Sequence, residues 1–343
     1  INAMAGMSWQ EYNYTKFEAS DSKYIDDFYG YYNLGSGTNR PSVGNDYDKW
    51  AMNSYFLRLA YSYDNKYMAT VTGRYDGSSK FGQNNKYAFF PSVGLGWMIS
   101  NEDFLKDNSL ISKLKLHTSY GLTGNSEIGT YKSLATVSQS NTIIGDALHV
   151  VSYLDNMPNP DLKWEKNKTW NIGLDLSFID RISVTFDYYQ RKTSDLIYDL
   201  PVSQVGGYYD GNYGYTTPQN IGSLKNSGFE LTITSTNFRN KDFTWTTSLN
   251  MAHNSNKLTK LDGQQNEIVS GPLIHRVGEP YYSYYVYEYA GVDAETGKEM
   301  FYLNDGTENA RKTTTNISEA NKTIVGRHQA SIEGGLTNNL KWK

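Results

Sequence analysis

The chain is 343 residues long, 38% apolar and 15% aromatic, with 30 tyrosines, no cysteine and a formal charge of −4 at neutral pH. The lack of cysteine excludes a disulfide framework and a thiolate metal site, and the mildly acidic balance gives no reason to expect nucleic acid. No apolar run approaches the roughly 18 residues of a transmembrane helix, which leaves a membrane barrel open, since its signal per segment is far weaker.

The pattern predicts a first strand over about residues 2–15, then a polar loop over 20–49. A hairpin follows. Tyr55, Leu57, Leu59, Tyr61 and Tyr63 fall on one face, residues 64–66 turn, and Tyr67, Ala69 and Val71 return on the same face. Arg58, Ser62, Thr70, Thr72 and Arg74 occupy the opposite face, because successive strand side chains point to opposite sides. Beyond a loop, Val93, Leu95 and Trp97 alternate with Gly94 and Gly96. Leu114, Leu116, Thr118 and Tyr120 then alternate with Lys115, His117 and Ser119.

The clearest signal spans residues 170–188. Trp170, Ile172, Leu174, Leu176 and Phe178 alternate with Asn171, Gly173, Asp175 and Ser177. After Ile179-Asp180-Arg181, Ile182, Val184, Phe186 and Tyr188 alternate with Ser183, Thr185 and Asp187. Two such runs joined by three residues predict an antiparallel hairpin. No charge falls on the apolar face of either run over about nine residues, the length of a tilted transmembrane strand. Phe229, Leu231 and Ile233 predict the next strand, paired across 237–242 with Phe243, Trp245, Leu249 and Met251, and a last strand covers 329–337.

Short links (64–66, 101–112, 179–181, 237–242) alternate with long ones (20–49, 76–90, 121–162, 193–227, 256–325). Short turns at one end and long loops at the other are the layout of an outer-membrane barrel. A soluble β-sandwich also alternates apolar and polar residues but has less reason to segregate its loops. The fold class expected is therefore all-β, an antiparallel up-and-down transmembrane barrel. Both ends of the chain lie within strand-like pattern, so residues 1–343 are expected to be one partial barrel domain of a longer protein.

Residues 58–97 carry Asp76-Gly77-Ser78-Ser79-Lys80-Phe81-Gly82 and Phe90-Pro91-Ser92-Val93. Leu162-Lys163-Trp164-Glu165, Asn171-Ile172-Gly173-Leu174-Asp175, Lys192-Thr193-Ser194-Asp195-Leu196 and Asn226-Ser227-Gly228-Phe229-Glu230-Leu231 follow in order. Together these runs resemble the SusC/RagA family of TonB-linked outer-membrane transporters. The resemblance implies a 22-stranded barrel closed by an N-terminal plug, with this chain in its second half. It also implies import of oligosaccharides or peptides across a Gram-negative outer membrane, driven through TonB, with a SusD-like surface lipoprotein as lid. The plug, the TonB-contacting box, the early strands and the last strands have no counterpart here. Near Gly326, where the family often has proline next, the run is Gly326-Arg327-His328.

Arg58, Arg74, His117, Asp175 and Asp187 are expected to face the lumen, and Leu57, Leu59, Ile172, Leu174, Leu176, Val184, Phe186, Leu231 and Ile233 the lipid. Asp175 and Asp187 share a face, but no nucleophile or histidine accompanies them in sequence. They read as a hydrated wall balanced by Arg58, Arg74 or Lys115, so no catalytic residue and no enzyme activity is expected. The five histidines lack ligand spacing, and Asp293, Glu295 and Asp305 fit no standard calcium loop, so neither metal nor cofactor is expected. Tyr208, Tyr209, Tyr213 and Tyr215, in a glycine-rich stretch, are the candidate contacts for substrate or lid. The alternative function is a soluble or surface-exposed carbohydrate-binding β-module.

Overall fold

The computed structural model describes residues 1–26, 28, 30–39, 41–201, 216–261 and 266–342. In chain order the strands are β1 (Asn2–Ser20), β2 (Ser42–Tyr63), β3 (Tyr67–Ser78), β4 (Tyr87–Met98), β5 (Ile111–Asn125), β6 (Thr136–Ile144), β7 (Ala147–Asn156), β8 (Glu165–Phe178), β9 (Ile182–Pro201) and β10 (Thr216–Arg239). They continue with β11 (Phe243–Leu261), β12 (Glu267–Ser270), β13 (Leu273–Arg276), β14 (Ser283–Tyr287), β15 (Tyr289–Val292), β16 (Glu299–Tyr302), β17 (Thr313–Thr314), β18 (Lys322–Arg327) and β19 (Ile332–Trp342).

Ten of these form one sheet in the order β1-β2-β3-β4-β5-β8-β9-β10-β11-β19, antiparallel throughout. Each strand lies beside its sequence neighbour, and the remaining strands belong to small sheets within the long connections. The links at one end are short. Asp64 and Asn65 close the first with φ near +50°, and Ile179 and Asp180 do the same in the central hairpin. Left-handed residues suit tight hairpins because their twist matches that of the flanking strands.

The strands are longer than alternation alone predicts. β1 and β2 pair from Asn2↔Ala60 out to Ser20↔Ser42, so residue 20 and residues 42–49 of the expected loop over 20–49 are ladder. β9 likewise runs past Lys192 to Pro201, paired with the start of β10. Backbone hydrogen bonds extend a hairpin regardless of side-chain polarity, and above a membrane both faces meet water, so the alternation fades while the ladder continues.

Register sorts the side chains of the whole sheet. The row Leu114↔Leu176↔Val184↔Ile233↔Leu249↔Leu336 crosses six strands on one face, and Leu57, Leu59, Val71, Val93 and Leu95 share it. This apolar face is solvent-accessible: Leu57 is 50% exposed and Leu95 54%. Aromatic residues bound it at both ends, with Tyr63, Tyr67, Trp97, Phe243 and Trp342 toward the short turns and Tyr75, Phe89, Trp170 and Tyr188 toward the long links. Eight residues separate Phe89 from Trp97, as they do Trp170 from Phe178. That is about 26 Å along a strand, or about 20 Å of height at a tilt of about 40°. An aliphatic band between two aromatic girdles is the exterior of a membrane barrel.

Because the sheet is a single layer, the compact core is small and lies at the long-link end. Phe81, Phe90, Leu162 and Trp164 bury one another there. The loop before β4 folds back so that Gly82 N–H donates to Leu162 O, and the Trp164 indole donates to Lys86 O.

Candidate functional site

The face opposite the apolar band is a hydrogen-bonded polar wall. Arg58, Arg74, His117, Asp175 and Asp187 all fall on it, through the pairings Arg58↔Thr72, Arg74↔Phe90, Gly96↔His117, Lys115↔Asp175 and Gly173↔Asp187. Leu57, Leu59, Ile172, Leu174, Leu176, Val184, Phe186, Leu231 and Ile233 fall on the other face.

The charge partners differ from those expected. Arg74 Nε donates to both oxygens of Asp76, two residues along its own strand, at 2.7 and 2.9 Å, and its Nη2 donates to buried Ser54. Lys113, not Lys115, lies 3.3 Å from Asp175, which also accepts from Thr185 Oγ1. Asp187 accepts from Asn171 Nδ2 at 3.1 Å and sits 4.0 Å from His117 Nε2. Arg74 and Asp76 are i,i+2 neighbours on one strand face, but sequence spacing cannot supply the other pairings, because partners on different strands are set by inter-strand register.

Glycines let the wall bond across two strand spacings. His117, Gly173 and Asp187 are consecutive cross-strand partners on β5, β8 and β9. A Cβ on Gly173 would collide with both the His117 ring and the Asp187 carboxylate, so the bare glycine is what lets them meet. Tyr189, Gly228 and Asn254 repeat the device on β9, β10 and β11: Tyr189 Oη donates to Asn254 Oδ1 at 3.2 Å over Gly228.

These strands line a polar cavity of ≈ 590 Å³ containing Asn171, Asp187, Tyr189, Arg191, Asn226 and Glu230. A second cavity of ≈ 220 Å³ shares Asn226 and Asn254 with it and adds Asn256, Tyr281, Tyr282 and Arg327. Asn256 Nδ2 donates to Asn226 Oδ1 at 2.7 Å, while Tyr281 N–H donates to Asn256 Oδ1, tying the long connection after β11 to the wall. Amides offer both donors and acceptors, so such a wall can pair with peptide groups or sugar hydroxyls without fixing a charge. The sequence reading missed these asparagines. Their signal was the alternation of Asn226, Gly228 and Glu230 and of Asn254 and Asn256, which gains meaning only when the strands are placed side by side.

Asp293 and Asp305 cap turns, Asp293 Oδ1 accepting from Glu295 N, Thr296 N and Thr296 Oγ1, and Asp305 Oδ1 from Thr307 N and Oγ1. Among the described residues no group of three metal-ligating side chains comes together. Tyr208, Tyr209, Tyr213 and Tyr215 lie outside the described residues.

The family model for the TonB-dependent receptor-like β-barrel matches residues 2–338. The chain is 35% identical to TonB-dependent receptor P3 of Formosa agariphila, covering 100% of this chain and 36% of that protein. It is 37% identical to TonB-dependent receptor SusC of Bacteroides thetaiotaomicron over 84% of this chain and 30% of that one. Among solved structures, the RagAB peptide transporter superposes with a TM-score of 0.85 at 32% identity, covering 99% of this chain and 37% of that one. The chain thus spans about a third of the length of the relatives it matches. It belongs to the TonB-dependent receptor β-barrel family, with its likeness on the SusC and RagA side.

Proposed function

We propose that residues 1–343 form part of the barrel wall of a SusC-like importer in a Gram-negative outer membrane, in the second half of the barrel. In this reading the polar face carrying Arg58, Arg74, His117, Asp175 and Asp187 lines the lumen, and the aliphatic band faces lipid. The observation that carries it is the segregation of an aliphatic band from a polar wall on the two faces of one ten-stranded sheet. A soluble carbohydrate-binding module would have no use for side chains such as Leu57 and Leu95 half exposed over a whole sheet face.

The cargo is an oligosaccharide or a peptide, met by the amide-lined cavities around Asn226 and Asn254. The peptide option is favoured by the likeness to a peptide transporter and by amide side chains, Asn171, Asn226 and Asn254, suited to backbone groups. The missing two-thirds would supply the plug and the TonB contact, and a SusD-like surface lipoprotein would close the barrel from outside. Tyr208, Tyr209, Tyr213 and Tyr215 lie on a long link and would meet cargo or lid first.

Residues 1–343 contain no cysteine, so once any cysteine elsewhere in the full-length protein is replaced, single cysteines report facing directly. In the full-length protein in liposomes, Arg58→Cys and Thr185→Cys should react with a water-soluble maleimide and Leu174→Cys only with a lipid-soluble one. Equal labelling of Leu174→Cys and Arg58→Cys by the water-soluble reagent would reject the assignment. In the same protein, alanine at the four tyrosines should lower uptake or lid affinity; no change in either reduces that loop to packing.

A further inference from the structure

Four lysines stand in one cross-strand row. Lys168 on β8 pairs with Lys192 on β9, Lys192 with Lys225 on β10, and Lys225 with Lys257 on β11. The row lies on the apolar face, in register with the lipid band rather than with the wall. Stepping along the strands toward the short turns, the rows read Trp170-Gln190-Ser227-Ser255, Ile172-Tyr188-Phe229-His253 and Leu174-Phe186-Leu231-Met251. The order is lysine, then hydroxyl and amide, then aromatic, then aliphatic, which is the polarity profile of a lipid leaflet from headgroup to acyl chain.

All four lysines are exposed, and among the described residues none takes part in an ion pair. Lys166, two residues above Lys168, adds a fifth positive charge on the same face. The row spans about 14 Å, three strand spacings of about 4.8 Å. Like charges directly opposite one another destabilise a sheet, so four in succession call for an anion of matching width. Lysine presents a compact charge on a flexible stem, which suits phosphate more than a planar carboxylate fork.

We propose that this row is a binding site for a phosphorylated glycolipid of the outer leaflet, the lysines holding lipid A phosphates while the acyl chains lie along the aromatic and aliphatic rows below. The site rests on the proposed function in one respect: the long links must lie outside the cell, where that leaflet is found. Its ligand is distinct from the cargo and binds on the opposite face of the same strands.

The test uses the full-length transporter in phosphatidylcholine nanodiscs, with heat-modifiable gel mobility confirming that each variant forms its barrel. Diphosphoryl lipid A is added, and affinity is read by native mass spectrometry. Replacing Lys168, Lys192, Lys225 and Lys257 with Gln should weaken binding at least tenfold, and replacing them with Arg should retain it. Wild-type protein should bind dephosphorylated lipid A as weakly as the Gln variant does, and inorganic phosphate should not compete. Should the fourfold Gln variant fail to insert, Lys192→Gln and Lys225→Gln singly should each weaken binding severalfold. Unchanged affinity in the Gln variants, or equal binding of dephosphorylated lipid A, overturns the site. So does a Gln variant that loses only affinity for the surface lipoprotein, because the row would then be a protein contact. Failure of the wild-type chain to insert in a bilayer would instead overturn the proposed function.

Discussion

At the scale of single residues, the polar wall depends on where side chains are missing. Gly173 reads in sequence as one small residue on a polar strand face, yet it decides whether His117 and Asp187 meet. Gly173→Val should separate that pair and lower the stability of the full-length barrel by about 1–3 kcal/mol, the usual cost of overpacking. Gly94 offers the contrast, since a Cβ there would find its nearest neighbour at 3.9 Å. Gly94→Ala should be neutral or slightly stabilising, because alanine loses less entropy on folding. Urea midpoints of the two variants in lipid check this, and equal midpoints would remove the special role of Gly173.

At the scale of elements, the alternation located the strand centres and missed their ends. It identified the central hairpin, β8 and β9, with its three-residue turn, since a charge-free apolar face needs lipid or a core on one side only. It stopped at Lys192, although β9 continues for nine residues in a ladder with β10. The long connection after β11, a single long link over 256–325 by pattern, contains short strands of its own, among them β14, β15 and β16. An ion pair braces the part around β15 and β16. Arg311 Nη1 donates to both oxygens of Glu288 at 2.9 Å, Asn304 Nδ2 donates to the same carboxylate, and the guanidinium lies 3.8 Å from the Tyr302 ring centroid.

The hydrogen bonds from Arg311 hold the Glu288 carboxyl below its ordinary range. A lowered folded-state value means the brace contributes fully above the ordinary glutamate pKa of about 4.3, and its contribution is lost as pH falls through the lower value. Hydrogen exchange at Tyr302 and Leu303, corrected for intrinsic rates, should therefore stay constant from pH 7 to about 5 and accelerate only under stronger acid. Glu288→Gln should abolish that acid-dependent step. An identical acid step in the Gln variant would show that other groups hold the loop.

At the scale of the molecule, the ten-stranded sheet pairs β1 with β2 alone and β19 with β11 alone, leaving one edge of each open. Unpaired backbone groups are costly in hydrocarbon, where no water can satisfy them, so the open sheet cannot be a stable membrane species by itself. Residues 1–343 expressed alone are expected to aggregate, whereas the full-length chain should yield a heat-modifiable barrel on gels. A heat-modifiable monomer from the isolated segment would mean that the edges close on each other, and the partial-barrel architecture would be wrong.

The sequence by itself determined the strands, their two faces and the segregation of short links from long, because side-chain alternation is local and a charge excluded from one face over nine residues is visible without a partner. Its ordered motifs also carried the family. What only the tertiary structure decided is whom each residue meets: Lys113 rather than Lys115 for Asp175, Asp187 with His117 across Gly173, the asparagines of β10 and β11 with Tyr281, and the lysine row of β8 to β11. The reason is register. A strand's pattern says which side a residue takes, but the height at which neighbouring strands lock together is set by their turns and bulges jointly, and every lateral contact in a single-layer sheet follows from that height.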